Sequence, residues 1–566
     1  MKQFRELRVA NLVIPLFVLV FVLFYAVQGP AALASQTKII ASATVCSVDD
    51  LWKVVEQFGT EMRFKETTRG LKELAKLQAP QIDKFALTKR FGIVAATNGD
   101  DVFPFIYIPL KPNAPISEDE LNDVKSKIEN IIKIKDVAAF VKNETLFITL
   151  EKFKDLLPTE IESSESFQTE NGETNLLELN VDCTSVPEEF IETLFAVARQ
   201  KITESIREDD SDGYDSLNSN LEYFSRCIDS LKSFRSQITV DENCDVILRV
   251  QCESKKDGVL SELFSKSAAL KTRWSSFAET SNLIACTFNY FVEDEKNKEQ
   301  EKKTLQSVTK KKVLNSLESL IDDPKNLEIA KEIAERFFNV QVAQLDLESV
   351  DKALVLSAEP PILVAASNLA DPDDFRQALA LVVDKIKSDN NEIGATIALN
   401  AENIDGFSVS TMDLPVSKLS NIPIEYFQDK EISIRLGVSN DASILVLGLN
   451  SDETEAKFKE VVDNSKEFKP IPNVGTFDLA LLFKLTYDIL ATTDELQPVA
   501  KKTLETLANS ENLKIITERN ITENAVTIKT TIQRGFVSAL GEIIRINISG
   551  GKEDDSLDMD DVFDEQ

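Results

Sequence analysis

Apolar positions recur along this chain with two periods, and the order in which those periods follow one another occurs twice. Alternation with period two marks half-buried strands, and spacing of three to four marks amphipathic helices. Read this way, Lys38 to Leu270 and Ser281 to Ile548 each give strand, helix, hairpin, helix, hairpin, lone strand, helix pair, hairpin and helix. Self-similarity over a long period is an architectural signal in its own right. The first hairpins are FGIVAATNGDDVFPFIYIPL, turning at Asn98-Gly99, and KALVLSAEPPILVAASNL, turning at Pro360-Pro361. Asn-Gly and Pro-Pro both punctuate strands.

The helix after each hairpin has a start signal. Ser117 and Glu120 have capping-box spacing, and Asp371 precedes Pro372 at the first helical position. Leu121, Val124, Ile128 and Ile131 keep one apolar face, as do Phe375, Leu379, Val382 and Ile386. The second hairpins are VAAFVKNETLFITL and ISIRLGVSNDASILVLGL; the lone strands are Leu176–Cys183 and Phe477–Leu485. The closing hairpins, QITVDENCDVILRVQC and KIITERNITENAVTIKTTI, lead into short helices near Val259–Phe264 and Val537–Ile544. The second copy carries one extra strand pair near Gly394–Pro415. The expected fold class is α+β: two tandem lobes of antiparallel hairpins with helices packed on one face, after an N-terminal apolar segment.

That segment has Lys2, Arg5 and Arg8, an uncharged run over residues 9–27, a Gly29-Pro30 break and Ala32-Leu33-Ala34. This is the layout of a signal peptide over residues 1–34, cleaved between Ala34 and Ser35. The run also approaches the ~20 residues that span a bilayer, so a retained membrane anchor is the alternative. The expected location is the exported side: periplasm-like space, cell surface or medium. Membrane contact is expected only through residues 9–27, if they are retained.

Net charge is −32. A chain this acidic repels nucleic acid and anionic membranes and favours basic partners or divalent cations. Hydrophobic content of 43%, with 33 Phe, is enough for packed cores. The tail over 549–566 is acidic and aperiodic, which predicts disorder. Asp294–Lys303, DEKNKEQEKK, reads as a solvated entry to helices that continue to about Phe338. The cysteines are Cys46, Cys183, Cys227, Cys244, Cys252 and Cys286; an even number permits disulfides in an exported chain, and buried small hydrophobes are the other reading. Cys244 and Cys252 sit on one continuous strand pattern, about 26 Å apart at ~3.3 Å per residue, and cannot pair with each other.

The chain has no histidine, which removes Ser-His-Asp and Cys-His catalysis, H-E-x-x-H zinc sites and His-ligated iron. No glycine-rich phosphate loop stands between a strand and a helix, so neither catalytic nor cofactor-binding residues are assigned and no cofactor is expected. The best metal candidate is Glu208-x-Asp210-x-Asp212-Gly213, half of an EF-hand calcium loop with Ser219 where the bidentate Glu belongs. An acidic helix-helix loop is the simpler reading. Phe91, Phe103, Phe105, Tyr107, Phe140 and Phe147 recur in hairpin strands, either lining an apolar ligand cleft or filling the core. Trp52 and Trp274 are too isolated for a sugar-stacking platform. Lys484 interrupts the apolar strand LALLFKL.

The segments ATVCSVDDLWKVVEQFG, IDKFALTKRFGIVAATNGDDVFPFIYIPL, NLLELNVDCTSVPEEFIETLF and SLKSFRSQITVDENCDVILRVQCESKKDG resemble a family of large exported planctomycete proteins. The resemblance covers most of the first copy and, more weakly, the second. It implies export and a duplicated strand/helix module, and transfers no functional residue. The expected function is non-enzymatic: a structural or binding component of the cell envelope or periplasm-like space, with an envelope protein or divalent cation as partner. The alternatives are a carrier of an apolar ligand within or between lobes and a carboxylate-based hydrolase.

Overall fold

The computed structural model describes residues 38–549 apart from 66–67, 71, 73–83, 99–101, 113–115, 133–134, 158–171, 206–224, 277–282, 292–297, 300–301, 304, 322, 390–394, 417–429, 471–473 and 491–496. The first half runs β1 (Lys38–Val45), α1 (Val48–Glu61), β2 (Phe91–Thr97), β3 (Val102–Pro109), α2 (Glu118–Ile132), β4 (Val137–Lys142), β5 (Thr145–Leu150), β6 (Thr174–Asp182), α3 (Glu188–Ser205), β7 (Leu231–Val240), β8 (Val246–Ser254) and α4 (Val259–Ala269). A two-residue strand, β9 (Lys271–Thr272), opens the connection. The second half runs β10 (Ile284–Phe291), α5 (Lys310–Leu320), α6 (Pro324–Gln344), β11 (Ser349–Ala358), β12 (Pro361–Asn368), α7 (Pro372–Asp389), β13 (Thr396–Ile404), β14 (Phe407–Pro415), β15 (Glu431–Val438), β16 (Ala442–Gly448), α8 (Ser451–Asn464), β17 (Lys469–Pro470), β18 (Val474–Asp478), α9 (Leu479–Leu490), α10 (Pro498–Ala508), β19 (Lys514–Ile521), β20 (Ala525–Ile532) and α11 (Gly535–Ser549). The fold is α+β, dominated by one large antiparallel sheet.

The strands of the two halves belong to a single eighteen-stranded sheet. Its seam is the antiparallel ladder between β8 and β20, from Val246 opposite Ile532 to Glu253 opposite Ala525. Outward from the seam the first half places β8, β7, β6, β1, β2, β3, β5 and β4. The second half places β20, β19, β18, β10, β11, β12, β16 and β15 in the same chain-order sequence, and adds β14 and β13 at the far edge. The helix that follows each seam strand binds the other half. On α4, the Ser261 hydroxyl donates to Asn524 Oδ1 at 3.2 Å, beside the β19–β20 turn. Just before α11, the Arg534 amide donates to Asp245 Oδ1 at 2.7 Å, beside the β7–β8 turn.

Strand alternation puts a core on each side of the first half. Val94, Ala96, Phe103, Phe105, Phe147 and Phe153 form one. Leu110, Val137, Leu146 and Ile148 form the other, covered by Leu121, Val124 and Ile128 of α2. The aromatic strand positions therefore fill the core: Phe103 stacks on Phe153 with centroids 5.0 Å apart, and Phe140 on Phe147 at 5.9 Å. In the second half Val364, Ile444 and Val446 meet Phe458, Val461 and Val462 of α8. Trp274, from the connection between halves, is buried in that same core.

Several helix starts are closed by side chains, which satisfy orphan amides. Asp371 Oδ1 accepts from the amides of Asp373 and Asp374, both at 3.1 Å. Ser117 Oγ accepts from the Glu120 amide at 3.3 Å, and Glu120 Oε2 accepts from the Ser117 amide at 2.8 Å. Glu120 also binds Lys84 Nζ at 2.6 Å. Lys84 foremost, and then Ser117, hold its carboxyl down at about 2. A carboxyl depressed by folding adds stability that is full above the ordinary range, about 4.3, and is lost as pH falls through the folded value. We expect a carboxyl titration followed by NMR to place Glu120 near 2 and to move it back toward the ordinary range in Lys84→Met.

Three expectations need correction. The lone strand expected over Phe477–Leu485 is β18, Val474–Asp478, and LALLFKL begins α9. A short run that is apolar all round has no diagnostic period, and its leucines, which are not branched at Cβ, suit a helix. Asp478 Oδ1 also accepts from the Leu481 amide at 3.3 Å, which caps the helix. Lys484 therefore lies on an exposed helix face, paired with Glu359. Cys244 does not continue the strand of Cys252: it sits in the β7–β8 turn with φ of +67°. Residues 1–34 with Ala34 and Ser35, the calcium candidates Glu208, Asp210 and Asp212, and the acidic tail from residue 550 on all lie outside the described residues.

Candidate functional site

Two adjoining depressions share Glu61: the larger belongs to the first half, and the smaller lies where the halves meet. The larger, about 490 Å³, lies beside α1 and is lined by Lys53, Glu56, Gln57, Thr60 and Glu61, by Lys65, Thr68 and Arg69, and by Glu242 and Cys244 of the β7–β8 turn. The smaller, about 270 Å³, shares Glu61 and is otherwise lined from the second half, by Ser510, Glu511 and Asn512 before β19 and by Arg534, Ser538, Ala539 and Glu542.

Local chemistry builds these walls. Ser47 Oγ caps α1 by accepting from the Asp50 amide at 3.1 Å. Val54 turns inward, which leaves Lys53, Glu56 and Gln57 on the groove side. Asp241 Oδ1 holds the opposing turn by accepting from the amides of Asn243 at 2.9 Å and Asp245 at 2.8 Å. Helix α11 seats on the end of α1 at Gly541, where a Cβ would come within 2.7 Å of Met62 Cα. A glycine is required there because only hydrogen fits against backbone. The Ser538 hydroxyl donates to Glu61, and Arg63 pairs with Glu542 at 3.7 Å.

The walls carry both signs of charge within a few residues. Cys244 is 6% exposed. Burial first, then the carboxylates of Glu61, Asp241 and Asp245, push its thiol up. A protonated thiol is a poor nucleophile and a poor metal ligand. Burial also raises Asp245, outweighing the amide of Arg534. The thiols of Cys46 and Cys252 are raised by burial, and Cys183 is pushed up to about 12 by burial and then by Asp182. Among the described residues, Cys46, Cys183, Cys244 and Cys252 form no disulfide.

A second polar constellation lies on the sheet itself. Glu178 of β6, Gln237 of β7, Arg249 of β8, Lys529 of β20 and Glu518 of β19 are successive register partners. Direct partners share a face, so these side chains form one row across the seam. Glu178 is a hub: Oε2 accepts from Arg90 Nη1 at 3.3 Å and Asn175 Nδ2 at 3.1 Å, and Oε1 accepts from Asn180 Nδ2 at 3.1 Å. Arg249 grips Glu173 with two nitrogens, at 2.8 and 2.5 Å, and reaches Thr239 Oγ1 at 3.1 Å. Glu178, Gln237 and Arg249 are buried, whereas Glu518 is exposed.

Sequence reasoning singled out none of these groups except Cys244. Glu61 and Ser538 are 477 positions apart, and no spacing rule connects such residues. The one visible signal was the run of polar residues at alternate positions in β6 and β8, where an apolar face was the simpler expectation. Among the described residues there is no group of three or more metal-ligating side chains, and no helix long and apolar enough to cross a membrane. No family model, no curated protein and no solved structure matches this chain.

Proposed function

We propose that this is an exported, non-enzymatic protein that serves as a structural or binding component of the cell envelope or periplasm-like space; the planctomycete resemblance bears on the export alone. One observation carries the reading. The two adjoining depressions are lined by lysines, arginines and carboxylates, and burial pushes the one thiol on their walls, Cys244, up. The common strand order of the halves supports a duplicated module, with the smaller depression at its junction. An apolar-ligand carrier has less support, because the strand phenylalanines pack on one another.

The test is recovery from envelope fractions of the native host. The intact protein should retain a partner with salt-sensitive affinity, since exposed charge pairs weaken with ionic strength. Reversing two exposed groove charges, Lys53→Glu and Lys65→Glu, should reduce recovery several-fold without changing the melting temperature. Recovery from the cytosolic fraction, or equal partner retention by the variant, would overturn the reading.

A further inference from the structure

We infer that the buried cluster around Gln237 is a binding site for neutral hydroxyl groups. Gln237 is 0% exposed and stands directly opposite Glu178 and Arg249, yet neither its Nε2 nor its Oε1 has a hydrogen-bond partner. Two further buried acceptors are unpaired beside it: Oδ1 of Asn175 and Oδ1 of Asn180. The amide orientations are fixed by chemistry, because both Nδ2 groups donate to Glu178. Four unpaired atoms thus gather around one carboxylate, and buried polar atoms are costly without partners.

What remains unpaired defines the ligand. The charges are already matched, Glu178 by Arg90 and Glu173 by Arg249, so the cluster has no spare charge for an ion. Three acceptor oxygens and one N–H₂ donor call for a group that both donates and accepts. A hydroxyl does so, whether it belongs to water or to a sugar or polyol. Buried waters of this kind typically make about three hydrogen bonds. The register row continues past Arg249 and Lys529 to exposed Glu518, which brings solvent to one end of the row. The site is distinct from the groove and does not depend on the function proposed above.

The experiment combines high-resolution crystallography of the full chain with melting curves of Gln237→Leu and Gln237→Met, both near the parent volume and without the amide. Density should bridge Gln237 to Asn175 or Asn180, and both variants should melt a few degrees below the parent because a satisfied amide is lost. A saturable rise in the parent's melting temperature with glucose or glycerol, absent from Gln237→Met, would assign the hydroxyl to a sugar or polyol. Density without such a rise would assign it to water. Absence of density, or variants that melt at or above the parent temperature, would overturn the inference, since removal of a truly orphaned amide is favourable. If neither variant folds, the density alone decides.

Discussion

Trp274→Ala is expected to cost about 3–5 kcal/mol of folding stability, the range for truncating a fully buried large aromatic. Trp274 is 0% exposed and packs with Ala353, Val364 and Ile444, so removal opens a void in the core of the second half. The loss extends to the segment that carries it. The Trp274 amide donates to Thr272 Oγ1 at 2.9 Å, and that hydroxyl donates to buried Asp351 at 2.7 Å. Arg273 lies over the rings of Trp274 and Phe468, 5.8 and 4.8 Å from their centroids, and pairs with Asp441 at 2.7 Å. Urea denaturation of parent and variant measures the cost. A change below about 1 kcal/mol would mean that the connection is not anchored in this core.

Arg249→Met is expected to be of similar size, about 3–5 kcal/mol, for an electrostatic reason. The change leaves Glu173, with a side chain only 3% exposed, as a buried charge without its two guanidinium donors. Adding Glu173→Leu should recover most of the loss, because removing both charges also removes the cost of desolvating them. Denaturant midpoints of the single and double variants give the sign. A double variant no more stable than Arg249→Met would show that packing of the arginine stem, and not the uncompensated carboxylate, dominates.

These two positions show how unevenly the molecule is legible from its letters. The hairpins at Phe91–Pro109 and Ser349–Asn368 and the caps at Ser117 and Asp371 depend on alternation, turn residues and side-chain reach. All of these are local, so the sequence displays them directly. The expected strand at Phe477–Leu485 failed because a run that is apolar on every side carries no period, and Asp478 caps a helix there. Trp274 looked like an isolated aromatic; nothing near it in the chain reveals that the connection folds into the second core.

Taken alone, the sequence determined the α+β class, most element positions and the absence of histidine chemistry, because periodicity, caps and composition act within a few residues. Tertiary structure decided how the halves join. Strands β8 and β20 lie more than 270 positions apart, yet pair through backbone groups that every sequence has, so side-chain pattern could not announce the seam. It also decided the sites. The groove joins α1 to α11, and the row from Glu178 to Glu518 is created by strand register across five strands. Burial, charge pairing and the unpaired amide of Gln237 are properties of that register, and they exist only once distant strands have been brought edge to edge.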